Sequence, residues 1–455
     1  MIVIKFGGTS LQDADAIERA AEIVASRLDQ QPAVIVSALG GATNALIAIG
    51  EQAAKGHLIG ALRGVEELRD RHLRECEKLL NGSPDAAPIA EELSATFDEL
   101  ASLAEALSVL GHATPRSFDK IAASGEELSS QLIAAFFRMR GIRAEHVDAR
   151  EVFITDSSFT CAEPLPDLIA ERARELVLPL MDDGKVPILG GFIGSNADGV
   201  TTTLGRGGSD YSAAIVGAAV GAEEIQIWTD VDGMMTCDPR LIPDARVIER
   251  ISYVEAAELA WFGAKVLHPK TIAPAIEQRI PVRVLNTHNV SSLGTLITEE
   301  GDPREDGPRA IALKEGITVV HMTSNKMLGA HGFLARLFAV FESLQISIDL
   351  ITTSEVSVSV TLDESGDLAA LREKLAPVAD VTVLDNQCIV AVVGRKLMRD
   401  SAVVGRCFEA IRGIPVSMFS LGTSGLNLSI VLDQSHADQA VRAIHRALFE
   451  AGVPA

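Results

Sequence analysis

Short apolar runs alternate with helical periodicity over about the first 298 residues. Runs rich in β-branched residues stand at five places: 2–6, 33–38, 186–193, 224–231 and 281–285. Helical stretches separate them, and residues 44–110 favour helix almost throughout, with a break near residues 81–84. Buried strands that alternate with helices are typical of a mainly parallel sheet with helices on both faces. We therefore predict an α/β domain over residues 1–298.

Residues 299–309 interrupt that pattern with a polar segment. Two prolines, two glycines and six charged residues occupy the ten positions 299–308. Proline and glycine end regular structure, and a charged run does not contribute to a core. We predict an interdomain linker at 299–309.

The chain after this linker repeats itself at a constant offset of 70 positions. The residues that coincide include these pairs: Arg336 with Arg406, Phe338 with Phe408, Ser347 with Ser417, and Asp363 with Asp433. Each copy favours the element order βαββαβ of a ferredoxin-like module. We therefore predict two modules, at 310–386 and 387–455. Because a four-stranded sheet leaves an open edge, we expect the modules to pair with each other or with a second chain.

Composition and charge narrow the classes of function. The chain has 455 residues, with 40 basic and 62 acidic side chains and a formal net charge of −22. A nucleic-acid binder needs basic surface to displace counterions from phosphates, so this balance argues against one. No apolar run reaches the roughly 18–20 residues of a membrane span. The five cysteines include no CxxC pair and no export signal is evident, so we expect reduced thiols and a cytoplasmic protein.

Two glycine turns follow the first two predicted strands. Residues 5–10 (KFGGTS) combine a lysine with backbone N–H groups at a helix start, an arrangement that suits an anion. Residues 37–44 (SALGGATN) repeat the arrangement. The carboxyl ends of neighbouring parallel strands meet at one edge, so the two turns are expected to share a ligand crevice. Each turn alone also fits a plainer interpretation: a positive-φ turn in the first, and N-capping by Thr43 or Asn44 in the second.

The most specific motif is the glycine-rich stretch at 201–210, TTTLGRGGSD. Arg206 offers a planar fork that can grip a carboxylate or a phosphate through two hydrogen bonds. The glycines on either side let backbone amides approach a ligand, and Ser209 and Asp210 open the next predicted helix. Helix capping alone explains Ser209 and Asp210, but it does not explain the glycines around the arginine.

Two later segments carry further candidate chemistry. Residues 228–233 (WTDVDG) end a predicted strand in a hydroxyl and carboxylates, and Asp238 and Arg240 follow, as in a nucleotide pocket. Lys265 lies in an otherwise apolar segment, FGAKVLHP, where it either extends to the surface or supplies positive charge to a site. The sequence lacks a P-loop, the protein-kinase motifs HRD and DFG, a zinc-binding HExxH and a GxSxG elbow. Those four classes of enzyme are therefore excluded.

In order, these motifs resemble those of the aspartate kinases, and the resemblance covers essentially the whole chain. It rests on KFGGTS, the 37–44 loop, the Ser-Gly-Glu turn at 124–126, TTTLGRGGSD, WTDVDG and FGAKVLHP. The two repeats resemble the paired ACT modules that regulate that family, and residues 349–355 (DLITTSE) resemble its lysine-sensitive class. No dinucleotide fingerprint follows the repeats, so the chain resembles the monofunctional form rather than the fusion with homoserine dehydrogenase.

The resemblance implies a fold and an activity. The fold is an amino-acid-kinase-like three-layer α/β/α core with a mainly parallel sheet, followed by two ferredoxin-like (βαββαβ) ACT modules. The activity is transfer of the γ-phosphoryl of ATP to the β-carboxylate of L-aspartate, giving 4-phospho-L-aspartate, the first step of lysine, threonine and methionine biosynthesis. L-lysine would inhibit through the first ACT module, and the second would mediate pairing into a homodimer or tetramer. Two alternatives stay open: an amino-acid kinase for glutamate or acetylglutamate, and an inactive amino-acid sensor.

The resemblance also implies the residues of each site. The catalytic residues would be Lys5, Asp210 and Lys265. Aspartate would be held by Thr43, Glu126, Arg206, Gly207, Gly208 and Ser209. ATP would lie against Lys5, Gly7, Gly8, Ser10, Thr229, Asp230, Asp238, Arg240, Lys265 and Val266, with Mg²⁺ held by phosphate oxygens and no protein ligand assigned to it. The lysine effector would contact Met327, Gly332, Phe333, Leu334, Ser347, Asp349, Thr352, Ser354 and Glu355.

The chemistry of the reaction agrees with these assignments. A β-carboxylate has a reference pKa of about 3.9 and is ionised at neutral pH, so the transfer needs no general base. It needs two anions to be brought together and the charge on the transferring phosphoryl to be neutralised, which Lys5, Lys265 and glycine amides can do. Arg206 would pair with the α-carboxylate of aspartate and Glu126 with its α-ammonium. Two roles are open for Asp210: it orients Lys5, or it caps its own helix.

Overall fold

The computed structural model describes residues 1–263, 267, 269–302, 306–363, 366–422 and 425–450, and the chain divides into two units. The first unit consists of Met1–Met234, Glu249–Tyr253 and Val266–Gly301. The second consists of Met235–Ile248, Val254–Lys265 and Asp302–Ala455. Within the described ranges, no helix is both long enough and apolar enough to cross a membrane.

The described elements follow the predicted alternation of strand and helix. The strands are β1 (Ile2–Phe6), β2 (Pro32–Val36), β3 (Ala144–Val147), β4 (Ile154–Thr155), β5 (Val186–Gly190), β6 (Ile193–Asn196), β7 (Thr201–Thr203), β8 (Glu224–Thr229), β9 (Arg250–Ser252), β10 (Val282–Asn286), β11 (Thr295–Thr298), β12 (Gly307–Thr323), β13 (Ile351–Thr353), β14 (Ser357–Leu362), β15 (Asp380–Arg395), β16 (Val416–Leu421) and β17 (Asn427–Asp433). The helices are α1 (Ala14–Ala25), α2 (Ala42–Ala54), α3 (Leu58–Leu80), α4 (Ala86–Leu110), α5 (Pro115–Met139), α6 (Ala149–Val152), α7 (Pro166–Leu176), α8 (Leu178–Asp182), α9 (Gly208–Val220), α10 (Tyr253–Trp261), α11 (Ala273–Glu277), α12 (Phe333–Ser343), α13 (Leu368–Leu375), α14 (Ser401–Ala410) and α15 (Ala437–His445).

An eight-stranded sheet forms the centre of the first unit. Its strand order is β3-β5-β2-β1-β8-β10-β11-β9. Neighbouring strands run parallel, except for the antiparallel pair β10 and β11. This confirms the predicted α/β core with a mainly parallel sheet.

Apolar packing on the sheet determines where Lys5 points. Ile4, Phe6 and Val36 pack with Ile17 of α1 and Phe137 of α5 in one buried core. Side chains alternate between the two faces of a strand, so Lys5 lies on the opposite face from Ile4 and Phe6. As the penultimate residue of β1, it stands near the carboxyl edge of the sheet, where open α/β folds bind ligands.

The predicted strand at 186–193 is wrong in one respect, because the run forms two strands in different sheets. β5 belongs to the large sheet, and β6 pairs with β4 and β7 in a small one. Between them Phe192 has a φ of 66°, and a Cβ on Gly191 would lie 2.8 Å from Cβ of Ser209. The chain therefore turns sharply where it passes the start of α9. Apolar periodicity does not reveal this turn, since both halves of the run are buried.

A six-stranded antiparallel sheet organises the second unit. Its order is β13-β14-β12-β15-β17-β16. The long strands β12 and β15 pair along most of their length. Residues 317–323 of β12, with α12, β13, β14, α13 and the first half of β15, form a complete βαββαβ module, in agreement with the predicted ferredoxin-like order.

The second module takes one strand from the start of the first. After residue 387 its elements are the second half of β15, then α14, β16, β17 and α15. Its fourth strand is residues 307–314 of β12, which pair with residues 389–395. β12 thus begins within the predicted linker at 299–309, and its first half serves a module predicted to begin at 387. The two modules share one continuous sheet.

Two segments from within the predicted catalytic domain also belong to the second unit. They are Met235–Ile248 and Val254–Lys265. Cys237 and Ile242 of the first segment are buried in the same apolar core as Val390 and Leu428 of the second module. Residues 235–248 therefore contribute to the core of the second unit, although they lie between β8 and β9 in the sequence.

Candidate active site

A cavity of about 840 Å³ lies in the first unit, at the carboxyl ends of β1 and β2 and the N-termini of α2 and α9. Nine residues that the sequence assigned to catalysis or to ligands line it: Lys5, Gly8, Thr43, Glu126, Arg206, Gly207, Gly208, Ser209 and Asp210. They come from four separate stretches of the chain: the first glycine turn, the second glycine turn, α5, and residues 206–210. The cavity is large enough for a small-molecule substrate.

Lys5 and Asp210 form a buried ion pair at one side of the cavity. Nζ of Lys5 lies 2.6 Å from Oδ1 of Asp210, and the two side chains are only 11% and 16% exposed. A Cβ on Gly7 would come within 3.5 Å of the same Nζ, so the ammonium lies over the first glycine turn. Helix α9 begins at its N-cap Gly207 with no side-chain cap. Of the two roles left open for Asp210, the geometry therefore favours orienting Lys5.

The Ser-Gly-Glu segment at 124–126 is not a turn as expected but lies in the middle of α5, from which Glu126 presents a buried carboxyl group to the cavity. Its Oε1 accepts a hydrogen bond of 3.1 Å from the backbone N–H of Ala38. Its Oε2 is buried and has no hydrogen-bond partner among the described residues. Burial raises the pKa of Glu126 to about 8, although the bond from Ala38 and the nearby charge of Lys5 act in the opposite direction. This oxygen is available to a cationic group of a ligand.

Two helix N-termini border the cavity, and each starts at a glycine with positive φ. Gly41 (φ 81°) is the N-cap of α2, and Gly207 (φ 74°) is the N-cap of α9. First-turn N–H groups have no partner within a helix and attract anions. Neither Thr43 nor Asn44 is the N-cap of α2, so the capping interpretation of the second glycine turn is wrong. Thr43 instead lines the cavity.

The residues predicted to bind nucleotide lie in more than one place. The hydroxyl of Ser10 contacts the Trp228 carbonyl at 3.3 Å and the Thr287 hydroxyl at 3.2 Å. The backbone N–H of Gly7 donates to the same carbonyl at 3.1 Å. At the end of β8, the hydroxyl of Thr229 donates to Asp230 at 3.1 Å. These residues border the carboxyl edge of the sheet but are not part of the cavity lining.

Asp238 and Arg240 belong to the second unit, where they pair with each other. Nη2 of Arg240 lies 2.6 Å from Oδ2 of Asp238, and the arginine side chain is 87% exposed. Hydrogen bonds from this guanidinium lower the pKa of Asp238 below its usual range. Lys265 and Val266 lie outside the described residues.

The structure also reveals cavity residues that the sequence analysis missed. Asp119, Thr160 and Thr203 line the wall next to Arg206. Asp119 precedes Glu126 by seven positions, two turns of the same helix, so the two carboxylates lie on one face of α5. The spacing of seven positions between Asp119 and Glu126 was the one feature of the sequence that could have identified Asp119.

The predicted effector residues all lie in the second unit, around the start of α12 and the strands β13 and β14. Gly332 (φ 70°) is the N-cap of α12, which begins at Phe333. The side chain of Asp349 is 3% exposed, and its Oδ2 lies 3.2 Å from Nζ of Lys314. Burial raises the pKa of Asp349, although Lys314 acts in the opposite direction. Lys314 was not predicted.

The ammonium of Lys314 has three neighbours that favour a positive charge: two carboxylates and one aromatic ring. Besides Asp349, its Nζ lies 2.8 Å from Oδ2 of Asp363 and 5.3 Å from the ring centre of Trp261. Other predicted effector residues make one local and one long-range contact. The hydroxyls of Ser354 and Ser357 are 2.7 Å apart, and the hydroxyl of Thr352 on β13 donates to the carbonyl of Phe419 on β16 at 3.3 Å. Among the described residues no group of three or more His, Cys, Asp or Glu could hold a metal ion.

Comparison with known proteins identifies two families in the chain. The sequence model of the amino acid kinase family matches residues 1–286, and a model of the ACT domain matches residues 390–448. The chain is 37% identical over 460 residues to lysine-sensitive aspartokinase 3 of Escherichia coli, covering 99% of both proteins. It is 36% identical over 466 residues to the chloroplastic aspartokinase 1 of Arabidopsis thaliana, covering 99% of this chain and 80% of that one.

Solved structures agree with the sequence matches. E. coli aspartokinase III in complex with aspartate and ADP superposes with a TM-score of 0.83 at 36% identity, covering 99% of this chain and 100% of that one. The same enzyme in complex with lysine and aspartate superposes with a TM-score of 0.82, covering 99% of both chains. With identity at this level over its full length, the chain belongs to the aspartokinases of the amino acid kinase family.

Proposed function

We propose that the protein is an aspartate kinase inhibited by L-lysine. It transfers the γ-phosphoryl of ATP to the β-carboxylate of L-aspartate, giving 4-phospho-L-aspartate for lysine, threonine and methionine biosynthesis. The observation that carries this proposal is the cavity of the first unit. It combines Glu126, a buried carboxylate with an unpartnered oxygen, with Arg206 and with the buried ammonium of Lys5. An amino acid with a second carboxylate matches these three groups, because its α-ammonium next to Glu126 favours the ionised form of that side chain.

Different cavity residues bind different groups of the substrate. Glu126 takes the α-ammonium, and Arg206 takes the α-carboxylate through its planar fork. Thr43 and the start of α9, Gly207 to Ser209, close around the same groups. This leaves the β-carboxylate for the side of the cavity where Lys5 lies.

Lys5 neutralises charge on the transferring phosphoryl, which is the main requirement of such a reaction. Asp210 holds the Lys5 ammonium over the glycine turn. The β-carboxylate attacks as an anion, so no residue has to remove a proton. Bound Mg²⁺ would add charge neutralisation at the phosphate oxygens. The remaining nucleotide contacts are carried over by resemblance: Gly7, Gly8, Ser10, Thr229, Asp230, Asp238, Arg240, Lys265 and Val266.

Lysine binds in the first ACT module in this proposal. Asp349 and Glu355 supply negative charge to its ammonium groups, and the backbone at the start of α12 receives its carboxylate. The other proposed contacts are Met327, Gly332, Phe333, Leu334, Ser347, Thr352 and Ser354.

Assembly and location are also part of the proposal. The edge strands β13 and β16 are largely exposed, and they carry the exposed apolar residues Ile351 and Phe419. Open edges of this kind favour pairing with a second sheet, so we propose a homodimer or tetramer formed through the ACT modules. All five cysteines are free thiols, which is consistent with the reducing cytoplasm that we propose as its location.

The direct test is phosphoryl transfer from Mg·ATP to L-aspartate, with the acyl phosphate trapped as the hydroxamate. We expect product with aspartate, little with glutamate or acetylglutamate, and loss of product when millimolar L-lysine is added. Product with glutamate or acetylglutamate in place of aspartate would favour a different amino-acid kinase. Binding of aspartate without any transfer would favour the inactive sensor.

Replacing Glu126 by glutamine is expected to stabilise the free protein at alkaline pH while weakening aspartate binding. The folded state holds a proton on Glu126 up to a pKa of about 8, whereas the ordinary value is 4.5. The free energy of unfolding of the wild type therefore falls as pH rises between these values. Glutamine mimics the protonated form, so the variant should melt several degrees higher at pH 8 and much more nearly equally at pH 5.

Thermal melts at pH 5 and pH 8, with and without aspartate, check this prediction. Aspartate should raise the melting temperature of the wild type but not that of Glu126→Gln. The neighbouring Glu127→Gln is the matched control, because Glu127 is only partly buried and pairs with Arg150 at 3.1 Å. A difference between wild type and Glu126→Gln that does not change with pH would contradict the assignment.

A further inference from the structure

Asp119 is a buried carboxylate in the cavity wall that none of the proposed steps uses. Its side chain belongs to α5 and the residue is 1% exposed. It accepts hydrogen bonds from the backbone N–H of Thr160, at 3.0 Å to each oxygen, and from the backbone N–H of Thr203 at 3.1 Å. The hydroxyl of Thr203 donates to it at 2.6 Å. One carboxylate thus joins a helix, a loop and the end of β7.

The two segments that Asp119 joins are the ones that support the Arg206 loop. Thr203 is the last residue of β7, three positions before Arg206. A Cβ on Gly205 would lie 3.3 Å from the carbonyl oxygen of Thr160, so the loop packs directly on the other segment. The backbone N–H of Ala162 donates to the Thr203 carbonyl at 2.9 Å. Asp119 therefore fixes the base of the loop on two sides.

Asp119 also links that loop to the opposite end of the proposed substrate site. Glu126 lies two turns further along α5, about 10 Å along the helix axis. Because a helix is rigid over two turns, α5 sets a distance between Glu126 and whatever Asp119 holds. Glu126 is the proposed partner of the α-ammonium and Arg206 of the α-carboxylate.

We propose that Asp119 is a positioning residue that fixes the Arg206 loop relative to Glu126 and thereby sets the length of the amino acid that can accept the phosphoryl. This inference rests on the proposed function. With the α-groups held at fixed points, the aspartate β-carboxylate reaches Lys5, and an acceptor with one more methylene is misplaced. Discrimination of one methylene by a pocket is about 10–200-fold, and a 1 Å misplacement can cost about 100-fold in rate.

The hydrogen bonds explain why a carboxylate is needed at this position. Burial raises the pKa of Asp119, while the bonds from Thr203 and Thr160 act in the opposite direction, and no cation contributes. Both oxygens receive N–H donors, so the amide of an asparagine would place an N–H group against another N–H group. Asp119→Asn keeps the size of the side chain but loses at least one of these bonds.

The test compares kinetics of the full-length wild type with those of Asp119→Asn. We expect the KM for aspartate to rise at least about tenfold, since a misplaced arginine weakens a charge-assisted contact, while the KM for ATP stays within about twofold. The preference for aspartate over glutamate in kcat/KM should fall by about tenfold. Thr203→Val, which removes only the 2.6 Å hydroxyl contact, should give a smaller change in the same direction, and Thr203→Ser should resemble the wild type.

Glu75→Gln is the matched control for the loss of a buried carboxylate. Glu75 is buried on α3, accepts a 2.8 Å hydrogen bond from the backbone N–H of Ala14 and pairs with Lys78, but it does not line the cavity. We expect it to lower the melting temperature without changing either KM. Asp119 has only a structural role if Asp119→Asn raises the KM for aspartate and the KM for ATP equally. The same conclusion follows if Glu75→Gln raises the KM for aspartate as much as Asp119→Asn does. Should Asp119→Asn fail to fold, an aspartate KM unchanged by Thr203→Val overturns the proposal.

Calorimetric binding of L-aspartate without nucleotide separates this inference from the proposed function. A wild type that binds aspartate but does not phosphorylate it overturns the proposed catalysis alone. Asp119→Asn that binds aspartate as tightly as the wild type overturns the positioning role alone. A wild type that neither binds nor phosphorylates aspartate overturns both.

Discussion

Replacing Lys5 by methionine is expected to lower kcat for phosphoryl transfer by roughly 10²–10³-fold. The Lys5 ammonium is held 2.6 Å from Asp210 over the first glycine turn, with 11% of the side chain exposed. Its position is fixed before the substrates bind, so it can stabilise developing charge without reorganisation. Methionine keeps the apolar length of the side chain and removes the charge. The KM for aspartate should change by less than kcat, because Glu126 and Arg206 hold the α-groups.

The role of Asp210 determines how a second substitution combines with the first. If Asp210 acts by holding the Lys5 ammonium, Asp210→Asn should lower kcat less than Lys5→Met does. The double variant should then be no slower than Lys5→Met alone, because the two residues act as one unit. The measurement is single-turnover transfer to aspartate by the four proteins of this cycle. Strictly additive losses would contradict the orienting role and would give Asp210 a separate contact with a substrate.

A stability control accompanies this cycle. Lys5→Met leaves the carboxylate of Asp210 in a mostly buried position without its cation, which is destabilising. The double variant removes both charges and should recover part of the melting temperature. If kcat across the four proteins correlates with the melting temperature and not with the presence of Lys5, the substitutions have damaged the fold and not the chemistry.

The sequence predicted the parts of the fold that depend on local pattern. Buried β-branched runs separated by helical stretches identified the strands that end at the cavity, β1 and β2, and the parallel sheet follows from the alternation of strands with helices. The pattern misled at residues 186–193, because the turn at Gly191 and Phe192 lies between two equally buried strands. Register and pairing between distant segments were out of reach: nothing in a 70-residue repeat shows that residues 307–314 complete the second module.

In the candidate site, too, residues in local motifs were predicted and residues defined by contacts between distant segments were missed. Motifs with unusual composition pointed to Lys5, Arg206 and Asp210, the family resemblance added Glu126, and these four line one cavity. Asp119 was missed because its partners, Thr160 and Thr203, are 41 and 84 positions away in sequence. A buried carboxylate that receives only N–H and O–H groups has no basic partner to mark it in the sequence, so the seven-residue spacing from Glu126 was the signal left. Lys314 was missed for a similar reason, since it is 35 positions from Asp349.

Replacing Asp349 by alanine is expected to raise the concentration of lysine needed for half-inhibition by at least about 30-fold, the equivalent of about 2 kcal/mol. The carboxylate is 3% exposed and is the most buried negative charge among the proposed effector residues. Loss of a buried charged partner leaves the other charge uncompensated, which is why the effect is large. The measurement is hydroxamate formation against lysine concentration, with each variant referred to its own rate without lysine.

Lys314 allows a second test, because its ammonium already pairs with Asp349, the carboxylate that the effector is proposed to bind. Its ammonium lies 3.2 Å from Asp349 and 2.8 Å from Asp363. An incoming ammonium must share or displace it, so Lys314→Met should lower the half-inhibitory concentration of lysine, in the opposite direction from Asp349→Ala. Asp363→Asn is the matched control, since Asp363 contacts the same ammonium but is about half exposed and lies outside the proposed pocket.

Opposite shifts for Asp349→Ala and Lys314→Met, with little shift for Asp363→Asn, would establish competition between the two ammonium groups at one carboxylate. Equal loss of inhibition in both Asp349→Ala and Lys314→Met would mean that the pair is needed intact, as a structural support of β12 against β13. Unchanged inhibition in Asp349→Ala would exclude this carboxylate from the effector site. Glu355, which is exposed in the turn between β13 and β14, would then be the acidic residue left to receive the lysine ammonium.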